Sequence, residues 1–277
     1  MQSILVPTDF SANAYNAATY AIALAADIKA TEVILYNAYQ PYVSEDPELS
    51  LPLQTDVEAF KQISADALVK MKAVLEKELP PSIQLKIKSE YNMVTAGIVD
   101  AAKDLNAGFI VMGISGTESK LEEAIIGSNA VDVSRHSEVP VIVVPAKAKY
   151  VQFRKILLAV DFKKSAETTP VAAIKNLLDV TKAQLDILHV EAGTNTDIDL
   201  DTEKNIVENL FQNYNPQYHF LQSKVFTDAI NQFALENKSD LIIVIPKKHG
   251  LFEGIFKRSH TKALVFHSDI PIMTIHE

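Results

Sequence analysis

Short apolar runs recur along the chain and are separated by longer stretches in which apolar and polar positions mix. In the first half these runs are Ile4–Val6, Val33–Tyr36, Phe109–Met112 and Val141–Val144. Strands that are apolar throughout, without an alternating polar face, are typical of parallel sheets covered by helices on both sides. The pattern therefore predicts a buried parallel sheet.

The stretches between these runs carry the helical period. The first begins after Ser11, a residue type that caps helix N-termini. Its apolar positions are Ala14, Ala17, Ala18, Ala21, Ile22, Leu24 and Ala25. A second helical stripe consists of Phe60, Ile63, Ala67, Leu68, Met71, Val74 and Leu75. Strands and helices that alternate in this way predict the order β-α-β-α-β-α-β-α-β in each half of the chain.

The second half repeats the first with an unequal spacing. Asp9 closes the first apolar run and is followed by phenylalanine, and Asp161 repeats this pair 152 positions later. In the last run, Pro271 follows Pro140 by only 131 positions, so the second copy is shorter by about 21 residues. Most of the loss follows the second strand, where residues 40–56 of the first copy contain three prolines. This segment is either a solvated loop or a lid near a ligand.

The repeat predicts two tandem doubly wound α/β domains, each a five-stranded parallel sheet with helices on both faces. Their expected bounds are residues 1–148 and 153–277, and each matches the usual size of about 100–150 residues. Within the second strand, the apolar runs align Val33 with Asp186.

Composition and charge limit the classes of function. Hydrophobic residues make up 48% and charged residues 22% of the chain, as in ordinary globular proteins. The absence of cysteine excludes disulfides, thiolate metal sites and a cysteine nucleophile, and it suits a reducing compartment. Since the start also lacks the pattern of a signal peptide, we expect a cytoplasmic protein. A net charge of −9 argues against general binding of nucleic acid or anionic membrane, and no segment is apolar enough to span a bilayer.

Candidate binding residues follow the first and fourth strands. In an open parallel sheet, ligands bind beyond the carboxyl ends of the strands where the winding direction reverses. The first strand ends in Pro7, Thr8 and Asp9, and the fourth leads into a glycine-containing loop that opens a helix. Glycine lets the backbone approach a ligand, and a helix N-terminus attracts an anion. The loop therefore predicts a phosphate site, and its candidate binding residues are Gly113, Gly116, Gly127, Ser128 and Asn129.

The order of strand, Gly-x-x-Gly, spacer, Gly-Ser, helix and Val-Pro-Val-Ile-Val-Val strand resembles the ATP-binding signature of the universal stress protein family. The resemblance covers nearly the whole chain twice, although the spacer, residues 117–126, is one residue longer than usual in the family. It implies a universal stress protein-like fold, related to the adenine nucleotide alpha hydrolases. It also implies binding of ATP or a related adenine nucleotide, with Mg²⁺ as the counter-ion of the phosphates.

The resemblance further implies a role for each matching residue. It places Asp9 beside the ribose or adenine, Pro7 and Thr8 along the base, and the glycines with Ser128 around the phosphates. Asn37 stands near the end of the second strand, where the family usually has a valine that contacts adenine, and its backbone could still reach the base.

The second copy departs from this signature. Gly127 lies 13 residues before Pro140, whereas Arg258 lies 13 residues before Pro271. Pro246 is expected to stand in place of Gly113, which would remove a backbone donor. We therefore do not expect an equivalent ATP site in this half.

Basic residues concentrate in the same part of the second copy. The basic residues are Lys247, Lys248, Lys257 and Arg258. They form either a solvated loop or one that docks on the other domain, or an anion site built from the side chains of Lys247, Lys248 and Arg258. His249 and His260 lack spaced carboxylates or thiols, so we interpret them as surface histidines rather than metal ligands.

Three classes of function remain. The favoured one is a nucleotide-binding stress-response or regulatory protein, in which the nucleotide stabilises or switches a surface for other proteins. The second is an interaction protein of the same fold that does not bind nucleotide. The third is an adenine-nucleotide enzyme or slow ATPase, but the sequence has no Walker loop, Ser-Gly-Gly-x-Asp loop or His-x-Gly-His motif.

Assembly is a further expectation from the resemblance, because universal stress domains commonly pair through their last strands. The two copies are therefore predicted to form an intramolecular pseudo-dimer, and a further homodimer stays open.

Overall fold

Strands and helices alternate within each half, up to residue 246, in a computed structural model that describes residues 3–40, 57–114, 128–162, 169–191, 200–246, 264 and 268–276. The helix predicted before the last strand of the second half falls largely outside these residues. The elements of the first half are β1 (Ser3–Pro7), α1 (Ala12–Asp27), β2 (Glu32–Tyr39), α2 (Val57–Leu75), β3 (Gln84–Tyr91), α3 (Val94–Asp104), β4 (Phe109–Ile114), α4 (Ser128–His136) and β5 (Val141–Pro145). Those of the second half are β6 (Lys155–Val160), α5 (Val171–Thr181), β7 (Gln184–Glu191), α6 (Leu200–Phe211), β8 (Gln217–Gln222), α7 (Phe226–Glu236), β9 (Leu241–Val244) and β10 (Ile272–Thr274). Short 3₁₀ turns at Glu76–Glu78 and Gln212–Tyr214 follow α2 and α6.

The strands form one ten-stranded sheet in the order β3-β2-β1-β4-β5-β10-β9-β6-β7-β8. Within each half the pairings are parallel, and at the centre β5 and β10 pair antiparallel, with Met273 opposite Ile142. The winding direction reverses between β1 and β4 and again between β6 and β9. Each half is therefore a five-stranded doubly wound unit, as the sequence predicted.

Helices cover both faces of this sheet. The apolar residues of α1, α2, α5 and α6 pack on one face, and those of α3, α4 and α7 on the other. All five residues of β1 are buried, because a central parallel strand is covered on both sides. At the start of α1, Ser11 Oγ accepts a 3.2 Å hydrogen bond from the Ala14 amide, which confirms the predicted N-cap.

Backbone conformations repeat between the halves as well. Phe10 and Phe162, each following the aspartate after the first strand of its half, have φ of 64° and 50°. Lys29 and Lys182, at the ends of α1 and α5, have φ of 56° and 55°. Left-handed conformations are uncommon outside glycine, so their occurrence at corresponding places marks the same turn in both halves.

The strand registers correct the expected alignment at β2. Ile4 pairs with Val33, and Ile156 pairs with Leu185. Val33 therefore corresponds to Leu185 and not to Asp186, and the offset of 152 residues is the same as between Asp9 and Asp161.

A second correction concerns the end of β4. Phe109 pairs with Ile4, and Leu241 pairs with Ile156, so these two residues correspond. Four positions later, Ile245 stands at the place of Gly113. The prediction that Pro246 occupies that place was wrong, since Pro246 corresponds to Ile114.

The join between the halves is held against α1. The Tyr150 hydroxyl donates to Asp27 Oδ2 at 2.6 Å, and its ring lies edge-on to Tyr20 with centroids 5.1 Å apart. Asn16 Nδ2 donates to the Ala148 carbonyl at 2.9 Å. The segment therefore packs along the helix and does not loop away from it. Among the described residues, none of the helices is long and apolar enough to cross a membrane.

Candidate functional site

A cavity of about 200 Å³ lies at the carboxyl edge of the first half, where the winding direction reverses between β1 and β4. Its walls come from the ends of β1, β2 and β4 and from the first turns of α1, α3 and α4. This is the place at which open parallel sheets bind ligands.

Six of the residues predicted from the sequence line this one cavity: Pro7, Thr8, Asp9, Asn37, Gly113 and Asn129. Ser128 is the first residue of α4, next to Asn129. Gly116 and Gly127 lie outside the described residues, as do Lys247, Lys248 and Arg258 and the two histidines of the second copy.

Thr8 is buried at the bottom of the cavity and closes the turn after β1. Its amide donates to the Tyr36 carbonyl at 2.8 Å, and its Oγ1 accepts from the Phe10 amide at 2.9 Å. The Thr8 hydroxyl in turn donates to Met71 Sδ, 3.4 Å away on α2. These contacts hold the Thr8 backbone rigidly beside the cavity.

Asn37 connects this turn to the neighbouring elements. Its Nδ2 donates to the Thr8 carbonyl at 2.7 Å, and its Oδ1 accepts from the Ser64 hydroxyl at 2.6 Å. Ser64 Oγ lies 2.7 Å from Ser89 Oγ on β3 and accepts from it, because the single Ser64 proton is given to Asn37. The side chain that departs from the family pattern therefore positions the β1 turn through hydrogen bonds from α2 and β3.

Asp9 is exposed at the mouth of the cavity. Its Oδ1 accepts a 3.0 Å hydrogen bond from the Ser11 amide, which helps to start α1. A carboxylate has further acceptor capacity beyond this single bond. Asp9 thus combines a turn-forming role with a carboxylate that lines the cavity.

Packing requires a glycine at position 113, whether or not a phosphate binds there. A Cβ at this position would lie 2.7 Å from the Asn13 carbonyl carbon and closer still to its oxygen. The first turn of α1 therefore reaches β4 only because position 113 lacks a side chain. The corresponding residue of the second half, Ile245, is buried and carries a full side chain.

The structure adds lining residues that the sequence analysis did not identify. Tyr36 is fully buried, and its hydroxyl donates to Glu90 Oε2 at 2.8 Å. Burial, followed by the hydrogen bond to Glu90, raises the pKa of Tyr36 well above its usual value, so the phenol stays neutral. A Cβ on Gly97 of α3 would collide with this hydroxyl, so that glycine makes room for Tyr36.

An apolar wall completes the cavity and was also missed. It consists of Val94 and Ile98 from α3 and Met112 from β4. The apolar positions of α3 could have indicated a buried face, but only the fold shows that its first turn faces the cavity.

The corresponding place in the second half has a different chemistry. By register, His189 takes the place of Asn37 and Phe220 that of Ser89. His189 Nδ1 lies 3.1 Å from the Val160 carbonyl and must donate to it, since a carbonyl only accepts. The ring of Phe162 lies 5.0 Å from His189 and 5.9 Å from Phe220, so aromatic rings pack beside His189 where Asn37 has serine neighbours. The second half therefore keeps the hydrogen bond from the second strand to the end of the first strand, but it loses the polar network that Asn37 forms with the two serines.

Metal-binding chemistry has no support in the part of the chain that is described. There, no group of three or more histidine, cysteine, aspartate or glutamate side chains is placed to hold an ion.

Comparisons with known proteins agree with this architecture. The sequence model of the Universal stress protein family matches residues 1–145. No curated protein matches the chain.

Solved structures extend the similarity to the second half. A universal stress protein from Archaeoglobus fulgidus DSM 4304 has a TM-score of 0.70 at 18% identity, covering 99% of this chain and 95% of that one. A putative universal stress protein from Pseudomonas aeruginosa UCBPP-PA14 has a TM-score of 0.61 at 12% identity, covering 99% and 93%. The cytoplasmic domain of a prokaryotic cation chloride cotransporter has a TM-score of 0.53 at 12% identity, covering 99% and 94%. At these identities the similarities establish the fold over the whole chain.

Proposed function

Because the chain belongs to the universal stress protein family, we propose that its first half binds an adenine nucleotide in the cavity at the carboxyl edge of β1, β2 and β4. One observation carries the proposal: six residues chosen from the sequence, on four separate segments, line a single cavity. The bound nucleotide would act in a stress-response or regulatory role by stabilising a surface for other proteins.

The chemistry of the walls fits the parts of a nucleotide. The apolar side chains of Val94, Ile98 and Met112 suit the face of a purine, and the exposed carboxylate of Asp9 suits ribose hydroxyls. The start of α4, beside Asn129, offers free backbone amides to phosphate. The described walls enclose about 200 Å³, below the roughly 300–1,000 Å³ of whole ligand pockets, so they accommodate only part of the ligand.

We further propose how the phosphates and their counter-ion are held. Gly116 and Gly127 would complete the phosphate site. Mg²⁺ would arrive bound to the nucleotide, since Mg²⁺ is commonly held by substrate phosphates and one or two carboxylates.

We propose a binding role and not a catalytic one for this site. Among the described residues that line the cavity, the titratable side chains are Asp9 and Tyr36. The Tyr36 hydroxyl donates to Glu90 and stays neutral. Asp9 and Tyr36 therefore do not form the hydrogen-bonded pair of nucleophile and base that covalent catalysis uses. An interaction protein of the same fold that binds no nucleotide is the alternative, and the structural role of Asn37 is the observation that favours it.

We also propose that the two halves, residues 1–148 and 153–277, are an intramolecular pseudo-dimer. The antiparallel pairing of β5 with β10 supports this arrangement, since Ile142 and Met273 are both fully buried where the halves meet. The absence of cysteine supports a cytoplasmic location.

The test is the nucleotide content of the purified protein, followed by calorimetric titration with ATP, ADP and AMP. We expect one adenine nucleotide per chain. Asp9→Asn keeps the acceptor for the Ser11 amide and removes the charge, so it should weaken binding by about 1–3 kcal/mol. Asp161→Asn is the matched control in the second half and should leave binding unchanged.

Two results would decide against the proposal. Equal losses in the two aspartate variants would show that the site is not confined to the first half. No bound nucleotide, together with no thermal stabilisation by millimolar ATP, would favour the interaction protein, because a ligand of the folded state raises stability by RT ln(1 + [L]/Kd).

A further inference from the structure

A histidine of the second half connects the two halves beside β10. His276 follows this strand and is partly buried. Its Nε2 lies 2.7 Å from the Ser134 carbonyl on α4, and its Nδ1 lies 3.2 Å from the Pro246 carbonyl after β9. We propose that His276 is a proton-dependent clasp that ties the first half to the second when its ring is protonated.

The two partners determine which form of the ring fits. A carbonyl oxygen accepts hydrogen bonds and cannot donate them, whereas a neutral imidazole has only one N–H. Neutral His276 can therefore satisfy one of the two carbonyls, and only the protonated ring can donate to both. Protonation would close the clasp, and loss of the proton would open one side.

The position of Ser134 adds an electrostatic reason. It lies in the last turn of α4, where carbonyls lack partners within the helix. The C-terminal end of a helix carries partial negative charge and attracts a cation. The protonated ring thus caps this helix from the other half of the chain.

Other charged groups surround the clasp on the elements packed against it. On α4, Arg135 Nη1 lies 3.6 Å from Asp132 Oδ1, and His136 Nδ1 lies 2.7 Å from the Asp132 carbonyl in the same helix. Glu138 and Asp269 lie in the turns before β5 and β10. Within their bounds, β5, β9 and β10 carry no titratable side chain. Asp132 and Arg135 offset each other, and among the residues described around this place His276 is the titratable group whose ring contacts both halves.

The equivalent place in the first half shows that the clasp is one-sided. The pairing of β5 and β10 with their parallel neighbours makes Pro145 the counterpart of His276. Proline has no side-chain donor, so the symmetric contact cannot form.

The experiment compares full-length wild type with His276→Gln by thermal unfolding at pH 6 and pH 8. The glutamine amide retains donors without a titrating charge. We expect the substitution to lower Tm by about 2–4 °C at pH 6 and by less than half as much at pH 8, because only the protonated ring donates to both carbonyls.

His136→Gln is the matched control, because His136 stands at the same helix end but contacts a carbonyl of its own helix. Hydrogen exchange separates the two: His276→Gln should lower protection in the last turn of α4 and at Ile275, and His136→Gln only in α4. An equal loss of Tm at both pH values, no loss at either, or unchanged exchange at Ile275 would overturn the clasp.

Discussion

The side-chain amide of Asn37 donates a 2.7 Å hydrogen bond to the main-chain carbonyl of Thr8. In the second half the ring of His189 makes the corresponding contact with Val160 at 3.1 Å. Two chemically different side chains thus fasten the turn after the first strand in the same manner.

We expect Asn37→Ala to lower the free energy of unfolding by about 1–3 kcal/mol, because the Thr8 carbonyl loses its side-chain donor and the Ser64 hydroxyl loses its acceptor on Asn37. Urea unfolding measures the change. His189→Ala should cost a similar amount but leave nucleotide binding intact. Full stability of Asn37→Ala would show that the network does not hold the turn.

Gly113→Ala should destabilise the protein by about 1–3 kcal/mol, the usual range for overpacking. The added Cβ meets the backbone of Asn13, which cannot rotate away as a flexible side chain would. Ile245→Val is the comparison at the corresponding place in the second half, and it should cost only about 0.5–1.5 kcal/mol. A neutral Gly113→Ala would mean that α1 can shift without penalty.

Tyr36→Phe tests the buried hydroxyl. Its raised pKa means that the folded state holds the phenolic proton more tightly than the unfolded state does, whose tyrosines titrate near pH 10. The contribution of Tyr36 to stability is therefore complete below about pH 10 and is lost as the pH rises through the folded-state pKa. Unfolding in urea should show a gap of about 1–3 kcal/mol between wild type and variant at pH 8. That gap should narrow above pH 10; a gap that stays constant would contradict the assignment.

Met273→Asp should cost about 3–5 kcal/mol, because it places an unpaired charge in the fully buried centre of the joined sheet. Met93→Asp provides the control, since the Met93 side chain is 68% exposed. Chemical unfolding of both variants checks the difference. Similar, small costs would indicate that β5 and β10 are not tightly packed together.

The sequence predicted the sheet, its faces and much of the cavity, since these depend on local signals. Apolar runs mark buried strands, and the aspartate and phenylalanine after β1 and β6 mark the same turn twice. Within an apolar run, neighbouring residues are alike, so the sequence does not fix which residue of one half corresponds to which residue of the other. The first two strands keep the same offset of 152 residues between the halves, so the alignment of Val33 with Asp186 was wrong by one position, as was the placement of Pro246.

The remaining site residues depend on contacts between distant segments. Tyr36 resembles any apolar strand residue until Glu90 and Gly97 are brought to it by β3 and α3. Asn37 departs from the family pattern in sequence, and only Ser64 and Ser89 explain what its side chain does. Long-range packing of this kind cannot be deduced from spacing along one chain.

The union of β5 and β10 within one polypeptide changes how such a protein can evolve. In an assembly of two identical chains, every substitution at the shared interface occurs twice, once on each side. Here the partner strand is always tethered nearby, so association does not depend on protein concentration. Each side is free to change alone, which is how a histidine can face Ser134 while Pro145 stands at the mirrored position.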